Sequence, residues 1–381
     1  YIFTPWTRNG WIIWIKNAVK NLLLRVKTKV YFIRAVEESR DEVKRKLSYL
    51  IQQSQILNFI PFKSNVVIKM HFGEEGNTGF VKPQYVKVIV DEVKKRKSTV
   101  LLADTNTLYK GRRTNSEDHI QLAEEHGFTP EIAGAEVFIP DDGKEENFKE
   151  VVVDGEYIKK AKVAKIFLDC DVLISVAHFK GHLMTSFGGA LKNIGMGCAS
   201  REGKLAQHSD VAPFVKIEEC IGCGQCKTVC PAGAISIIDN RAYISDEECI
   251  GCANCIAVCP QKAIDVDWES GQDTIQEKMA EYALAVLKNR KGRIVFFNFL
   301  LKITQECDCL AKDDPRVVPD IGILASYDPV SIDKASYDLV VETAGYDIFR
   351  ELHPLRNGFK QLRHAYRIGL GNLDYELIEI K

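Results

Sequence analysis

Eight of the twelve cysteines lie in two runs with the same spacing: Cys220, Cys223, Cys226 and Cys230 before Pro231, then Cys249, Cys252, Cys255 and Cys259 before Pro260. Thiolates are soft ligands. Three of them at these gaps let a short loop wrap three corners of an iron–sulfur cubane, and the fourth, before proline, reaches across to a second cluster. The expected cofactors are therefore two [4Fe-4S] clusters with crossed ligand sets: Cys220, Cys223, Cys226 and Cys259 on one, and Cys249, Cys252, Cys255 and Cys230 on the other. Gly222 and Gly251 suit the tight turns that such loops need, because glycine reaches positive φ without steric cost, and Ile221 and Ile250 supply an apolar lining. Zinc ribbons and disulfide frameworks also use cysteines at short gaps. Neither calls for a third cysteine at the same gap, a fourth before proline and a second copy of the whole run.

A second constellation precedes the first. The stretch from Val176 to His208, VAHFKGHLMTSFGGALKNIGMGCASREGKLAQH, holds three histidines, three lysines and six glycines. His178 and His182 leave the end of an expected strand, where open α/β sheets gather their ligand sites. His178, Lys180 and His182 alternate, so an extended backbone would point them the same way. Gly188 and Gly189, ahead of Lys192 and Asn193, would let the backbone approach a bound group closely. Taken singly, each of these residues reads equally well as part of a solvated loop. Together, just upstream of eight thiolates, His178, Lys180, His182, Lys192 and His208 read as a pocket for an anion or an electron-accepting group. His71, Asn106, Tyr109, Arg112 and Arg113, beyond two other expected strands, are placed to reach the same rim, although Tyr109 and the arginines read equally well as surface or capping residues. Cys307 and Cys309 in the run Cys-Asp-Cys, together with Cys198, form a candidate extra metal or thiol site, and simple burial is the competing reading. Asp328, Asp333 and Asp338 are expected to cap the helix that begins near Ile332.

The elements needed to position these residues follow an α/β rhythm. Val30 to Ala35, Asn65 to Phe72, Thr99 to Thr105, Val172 to Ala177, Arg293 to Phe297, Ile321 to Ala325 and Tyr375 to Ile380 read as strands, each a short, largely apolar run. Asp41 to Asn58, Gln84 to Lys97, Ser116 to His126, Lys159 to Leu168, Gln276 to Lys288 and Ile332 to Thr343 read as helices, and Val151 to Tyr157 as a small hairpin. Short strands are expected at Ala232 to Ile238, Ala242 to Ser245 and Gln261 to Val266. The fold class is thus an α/β main domain, residues 28–214 and 270–381, interrupted by a small α+β two-cluster insert at 215–269. Residues 1–27 form a leader.

Composition narrows the function classes. The 381 residues carry 51 basic and 52 acidic side chains, so no nucleic-acid partner is implied. Twelve cysteines without a secretory signal pattern point to a reducing, cytoplasmic setting. Trp11 to Val26 is apolar enough to suggest an interfacial helix, but Lys16, Lys20 and Arg25 interrupt it, so spanning a bilayer is excluded and contact with a membrane surface is not the expectation.

The segment from Val215 to Trp268 resembles the bacterial two-cluster ferredoxins, with all eight ligand positions matched. Most of the remaining chain resembles the domain of unknown function 362 family, in its form with an inserted ferredoxin. The matching motifs are KMHFGEEGN at Lys69 to Asn77, DTNTLY at Asp104 to Tyr109, HFKGH at His178 to His182, FGGALKNIGMGC at Phe187 to Cys198, the Cys-Asp-Cys run, and DIGILASYDPVSID at Asp320 to Asp333. That resemblance implies cluster binding and names no substrate. The HFKGH run with a later Gly-Gly and lysine is also similar, at the level of the fold, to metallo-cofactor racemases that act on lactate. Three functional expectations follow. The first is an iron–sulfur redox protein, a possible oxidoreductase, whose clusters pass electrons between a redox partner protein or small electron carrier and an anionic small-molecule substrate in the α/β domain. The others are a non-enzymatic electron carrier or docking subunit for a partner oxidoreductase, and a metal- or cluster-handling protein.

Overall fold

The computed structural model describes residues 27–381 except 38, 142, 210, 269, 272 and 273; the apolar stretch Trp11 to Val26 lies outside the described residues. Eight strands form one mixed sheet: β1 (Thr28–Arg34), β2 (Asn65–Lys69), β3 (Thr99–Ala103), β4 (Glu136–Phe138), β5 (Val172–His178), β6 (Ile294–Leu300), β7 (Gly322–Ser326) and β8 (Tyr375–Glu379). Their spatial order is β8-β1-β7-β6-β5-β2-β3-β4. The run β6-β5-β2-β3-β4 is parallel throughout, β8 is parallel to β1, and β7 is antiparallel to both of its neighbours. Central strands β5 and β6 are buried at every position, as expected of strands covered on both faces. Alternate side chains feed two cores: Ile294, Phe296 and Leu300 enter one, Val295, Phe297 and Phe299 the other.

Helices Arg40–Ser54 and Pro83–Lys94 cover one face through Val43, Leu47, Val86 and Ile89. The other face is covered by helices Ala190–Gly195, Ile275–Leu287 and Pro329–Ala344. Gly195 has no room for a side chain, since a Cβ there would lie 2.1 Å from the Met279 carbonyl oxygen. Only a glycine lets these two backbones come so close.

Two expected elements differ. Lys160–Ala164, read as part of a helix, is a strand paired with Phe148–Val152. Its buried Ala161 and Val163 alternate with Lys160 and Lys162, the period of a strand. The hairpin accordingly turns over residues 153–159 rather than within Val151 to Tyr157. Edge strand β4 and helix Phe359–Arg367 went unread. Of the three carboxylates expected on one helix, only Asp328 caps it, accepting from the amides of Val330 and Ser331. Asp333 reaches across to the amides of Ala190 and Leu191 at 2.7 and 2.9 Å, and Asp338 takes Lys334 and the Tyr375 hydroxyl.

The cysteine-rich segment has its own small core, which includes Ile235, Ile256 and Ile264 and is joined by Leu108 and Leu205 from the main fold. Its two halves repeat in backbone as they do in sequence. Ile235–Ile238 pairs antiparallel with Arg241–Ile244, and Phe214–Val215 with Ile264–Asp265; the register Ile235↔Ile244 and Ser236↔Tyr243 recurs as Val215↔Ile264 and Phe214↔Asp265. Left-handed residues recur in step at Gly222 and Gly251, Gly224 and Ala253, and Gly233 and Lys262.

Candidate active site

The parallel strands end together, and their carboxyl ends line a cavity of about 600 Å³, within the range that accommodates small organic ligands. Lys69 ends β2, Asp104 follows β3 and His178 ends β5. Lys180–His182 then forms a short ribbon with Ser186–Gly188 that carries Lys180 and His182 onto the same wall. Cys307 and Cys309 lie in the turn after β6, not in a strand. His208, at the end of helix Arg201–His208, and Trp268 close the side nearest the cysteine-rich segment, with their rings edge to face at 5.1 Å.

The cations of this cavity are paired within the protein. Lys69 Nζ lies 3.0 Å from Asp104 Oδ1, and Arg113 Nε 2.9 Å from Glu74 Oε2. Asp308, 1% exposed, accepts from Lys180 Nζ at 2.7 Å and from His178 Nδ1 at 2.9 Å. Lys192 Nζ stands 3.2 Å from Cys307 Sγ. The Cys307 thiol is pushed well below its ordinary range, first by a hydrogen bond from Cys309 and then, against burial, by Lys192 and Lys180. Cys309 is pushed well above its range by the same hydrogen bond and by burial. Of the two sulfurs, Cys307 is the one with both a cation, Lys192, and a main-chain amide, that of Cys309, directed at it.

Four histidines line the cavity, and beside His71 the other three have different capacities. His178 donates from Nδ1 to Asp308, and its Nε2 is buried with no partner among the described residues. His182 Nδ1 accepts from the amides of Met184 and Thr185, both at 3.2 Å, which places its proton on Nε2. Burial, then Lys192 and His208, hold this ring neutral. His208 is pushed down to about 3, first by burial and then by Lys192 and Lys204.

His71, Tyr109 and Arg113 reach the cavity together with His178, Lys180, His182, Lys192 and His208. Asn106 and Arg112 do not. Asn106 is buried against Ser116 and the Pro140 carbonyl, and Arg112 turns outward to Glu125. Gly188 and Gly189 line the wall, but the space beside them is filled by the chain itself: a Cβ would lie 2.7 Å from the Lys192 side chain or 2.3 Å from Asp333. Cys198 stays apart from Cys307 and Cys309. It is fully buried in the core, and burial pushes its thiol up to about 12. One ligand atom from each of His182, Cys307 and Cys309 lies within 4.8 Å of the others. Sequence reasoning missed the carboxylates Asp104, Glu74, Asp308 and Glu306 and the indole of Trp268. The readable signal for the first was Lys69, a lysine ending an otherwise apolar strand, which calls for a buried counter-ion.

Seven of the eight cysteines of the paired runs can be placed in two neighbourhoods. Cys230, Cys249, Cys252 and Cys255 line one small apolar cavity. Cys223 and Cys259 are close enough to Cys226 to raise its thiol further, after burial. Main-chain amides donate to two of the sulfurs, Ala242 to Cys220 Sγ at 3.4 Å and Ala263 to Cys259 Sγ at 3.3 Å.

Fold and site together define a mixed α/β protein whose parallel-dominated sheet gathers a buried, cation-rich, thiol-bearing cavity at its carboxyl edge. Residues 66–338 match the family model described as Domain of unknown function (DUF362), and the chain belongs to that family. No curated protein matches it. Among solved structures it is similar to the lactate racemase apoprotein from Thermoanaerobacterium thermosaccharolyticum, with 14% identity over 84% of this chain and 57% of that one at a TM-score of 0.37. It is also similar to a Thermotoga maritima protein solved by the Northeast Structural Genomics Consortium, with 12% identity over 82% and 60% at a TM-score of 0.40. The chain thus spans less than two thirds of the length of either. Among the described residues, no helix is long and apolar enough to cross a membrane.

Proposed function

We propose that this is an iron–sulfur redox protein. Two [4Fe-4S] clusters, on Cys220, Cys223, Cys226 and Cys259 and on Cys249, Cys252, Cys255 and Cys230, link an external one-electron carrier to an anionic small molecule bound in the α/β cavity. The observation that carries this reading is adjacency. Trp268 and His208 belong to the cavity wall, and Leu108 both lines the cavity and packs in the core of the cysteine-rich segment.

The thiol arrangement fits two cubanes. The four cysteines of the second set share one dry cavity, and the apolar surroundings and amide donors at Cys220 and Cys259 are the features that hold and tune cluster thiolates. In a tetrahedral zinc site the sulfurs would stand roughly 3.8 Å apart. No three of these eight sulfurs come that close among the described residues, whereas a cubane, binding each thiolate to a different iron, needs them further apart. When bound, the clusters supply electrons one at a time. The chain supplies the rest: Lys192, whose partner is a sulfur and not a carboxylate, gives the cavity its affinity for an anion, His178 Nε2 accepts a proton, and His182 Nε2 donates a hydrogen bond to a developing negative charge.

A second reading is favoured by the compactness of His182, Cys307 and Cys309, three donors of the types that zinc takes. One experiment addresses both. Iron, sulfide and trace-metal analysis of anaerobically purified protein, with electron paramagnetic resonance after reduction, is expected to give about eight irons and eight sulfides. Stoichiometric zinc in place of iron would overturn the cluster reading. One additional non-iron metal, lost in Cys307→Ser, would establish the second.

A further inference from the structure

The turn after β6 carries chemistry that the proposed function leaves unassigned. Cys307 and Cys309 stand side by side on the cavity wall, their sulfurs within 4.8 Å of each other and the Cys309 amide donating to Cys307 Sγ at 3.4 Å. Three neighbours hold the turn in place. The Tyr109 hydroxyl donates to the Cys309 carbonyl at 2.8 Å, Arg113 Nη2 donates to the Tyr109 hydroxyl at 2.6 Å, and the Glu74 amide donates to the Asp308 carbonyl at 3.0 Å. The Lys192 ammonium lies 3.2 Å from Cys307 Sγ, so the sulfur already has a cation beside it that would repel a second one. His182 accepts two amide hydrogens at Nδ1, the nitrogen through which a metal-bound imidazole ordinarily donates to an outer partner. Both features favour thiol chemistry over metal binding.

We infer that Cys307 and Cys309 form a two-electron thiol–disulfide couple, with Cys307 as the attacking sulfur, Cys309 as the resolving sulfur, and a small anionic organic disulfide as the substrate class. Cys307 thiolate attacks one sulfur of R–S–S–R′, forming the Cys307–S–S–R bond and breaking the substrate bond to release R′–S⁻. Cys309 then attacks Cys307, closing the internal disulfide and releasing R–S⁻, and its thiol proton leaves on one of the two products. The pair ends oxidised by two electrons, the substrate reduced by two. Two electrons and one proton from a one-electron carrier restore the starting state. The inference rests on the proposed function for the route of those electrons only; the couple itself stands on the geometry. The cavity, with apolar Leu108, Met184, Met196 and Leu310 among its cations, fits an anion with an apolar body.

The test poises the whole anaerobic protein in glutathione buffers of graded potential, blocks free thiols with an alkylating reagent, and weighs the tryptic fragment Ile303 to Lys312, which contains only these two cysteines. The expected result is a cooperative two-electron conversion of doubly alkylated fragment to one lacking two hydrogens. Cys309→Ser is expected to stop at a glutathione adduct on Cys307, and Cys307→Ser to form none. Lys192→Met withdraws the cation that stabilises the reduced thiolate, so the equilibrium is expected to shift about tenfold towards disulfide, a fall of about 30 mV. A purely structural Lys192 would leave the potential unmoved. Independent alkylation of both thiols at every potential would overturn the inference, as would a stoichiometric metal protecting both until a chelator removes it. Iron measured on the same sample separates the two ideas: a reversible couple in iron-free protein retains this inference and removes the cluster reading, and an inert pair beside about eight irons does the reverse.

Discussion

Asp308 is the most consequential single carboxylate in the cavity, and its removal has a calculable cost. It is 1% exposed and neutralises Lys180, itself 7% exposed, while fixing the Nδ1 proton of His178. Burial opposes its charge, but His178 and Lys180 outweigh that opposition and hold the carboxyl well below its usual range. Asp308→Asn keeps the shape and deletes the charge, leaving a buried ammonium without a counter-ion. Breaking a buried pair from one side costs about 3–5 kcal/mol. At about 2 °C per kcal/mol for a large chain, the apparent unfolding midpoint falls by about 6–10 °C.

The assay is thermal unfolding followed by circular dichroism at neutral pH, on the wild type, Asp308→Asn, Lys180→Met and the double variant. Since a buried ion pair replaced on both sides is often close to neutral, the double variant is expected to recover at least ~2 kcal/mol relative to the sum of the singles, a coupling that only contacting residues show. A midpoint for Asp308→Asn within about 2 °C of wild type, equivalent to ~1 kcal/mol, refutes the reasoning. Additive single effects would show that Lys180 finds its compensation elsewhere.

The crossed ligand sets predict a pattern of double losses. Cys220→Ser with Cys259→Ser should lose about four irons, no more than either alone, whereas Cys220→Ser with Cys230→Ser should lose about eight; the reverse pattern assigns each run to its own cluster. Asp333 is pushed up to about 6 by burial, against the amides of Leu191 and Ala190 and the Asn298 side chain. Because the native state then binds a proton that the unfolded chain releases, its contribution is fullest below the ordinary value of 3.8 and is lost as pH rises through about 6. Urea unfolding should therefore show the stability of Asp333→Asn rising relative to wild type by up to about 3 kcal/mol between acid and neutral pH, and a pH-independent difference contradicts the shift. Gly195→Ala must displace the helix Ile275–Leu287, whose Met279 carbonyl oxygen would lie 2.1 Å from the new methyl. A cost of several kcal/mol, in the class of core overpacking, should appear as a lowered unfolding midpoint, and a wild-type midpoint would show that the helices can separate freely.

Most of the sheet was legible because its strands are buried on both faces and read as unbroken apolar runs bounded by polar turns. β5 and β6 are of this kind. Lys160–Ala164 was misread because its period-two signal is only five residues long and sits between charged neighbours, where a helix fits the composition equally well. β4, three residues with only one partly buried side chain, has almost no pattern to read. The cysteine runs carried their own meaning, since spacing and repetition suffice to bring thiols together. The cavity was legible by type and not by pairing: Lys180 and Lys192 announce a cationic site, but Asp308 is more than a hundred residues away, and only the parallel pairing of β5 with β6 brings the turn that holds it beside His178. Glycines were misassigned for the same reason. Gly188 and Gly189 looked like room for a ligand, but the space beside Gly189 is taken by Asp333 from a distant helix, and that beside Gly188 by Lys192 one turn further along the chain.

The four principal cations of the cavity are not equivalent. Lys69, Lys180 and Arg113 face carboxylates, which disulfide chemistry leaves unchanged, whereas Lys192 faces a sulfur that can carry no negative charge once it enters a disulfide. Oxidation of Cys307 therefore uncovers one partly buried positive charge, and the cavity becomes a better anion site in the disulfide state than in the thiolate state. By linkage, an anion that prefers the oxidised form must also make the pair easier to oxidise, by the same factor. Couplings of this kind are typically worth about 1–3 kcal/mol, or roughly 5–150-fold. Titration of the couple in uncharged dithiothreitol buffer, with and without saturating phosphate or a small carboxylate at constant ionic strength, should lower the midpoint, and Lys192→Met should abolish the shift. A midpoint indifferent to every anion in wild type would mean that Lys192 is compensated by another group once the thiolate is gone, and that binding and redox state in this cavity are independent.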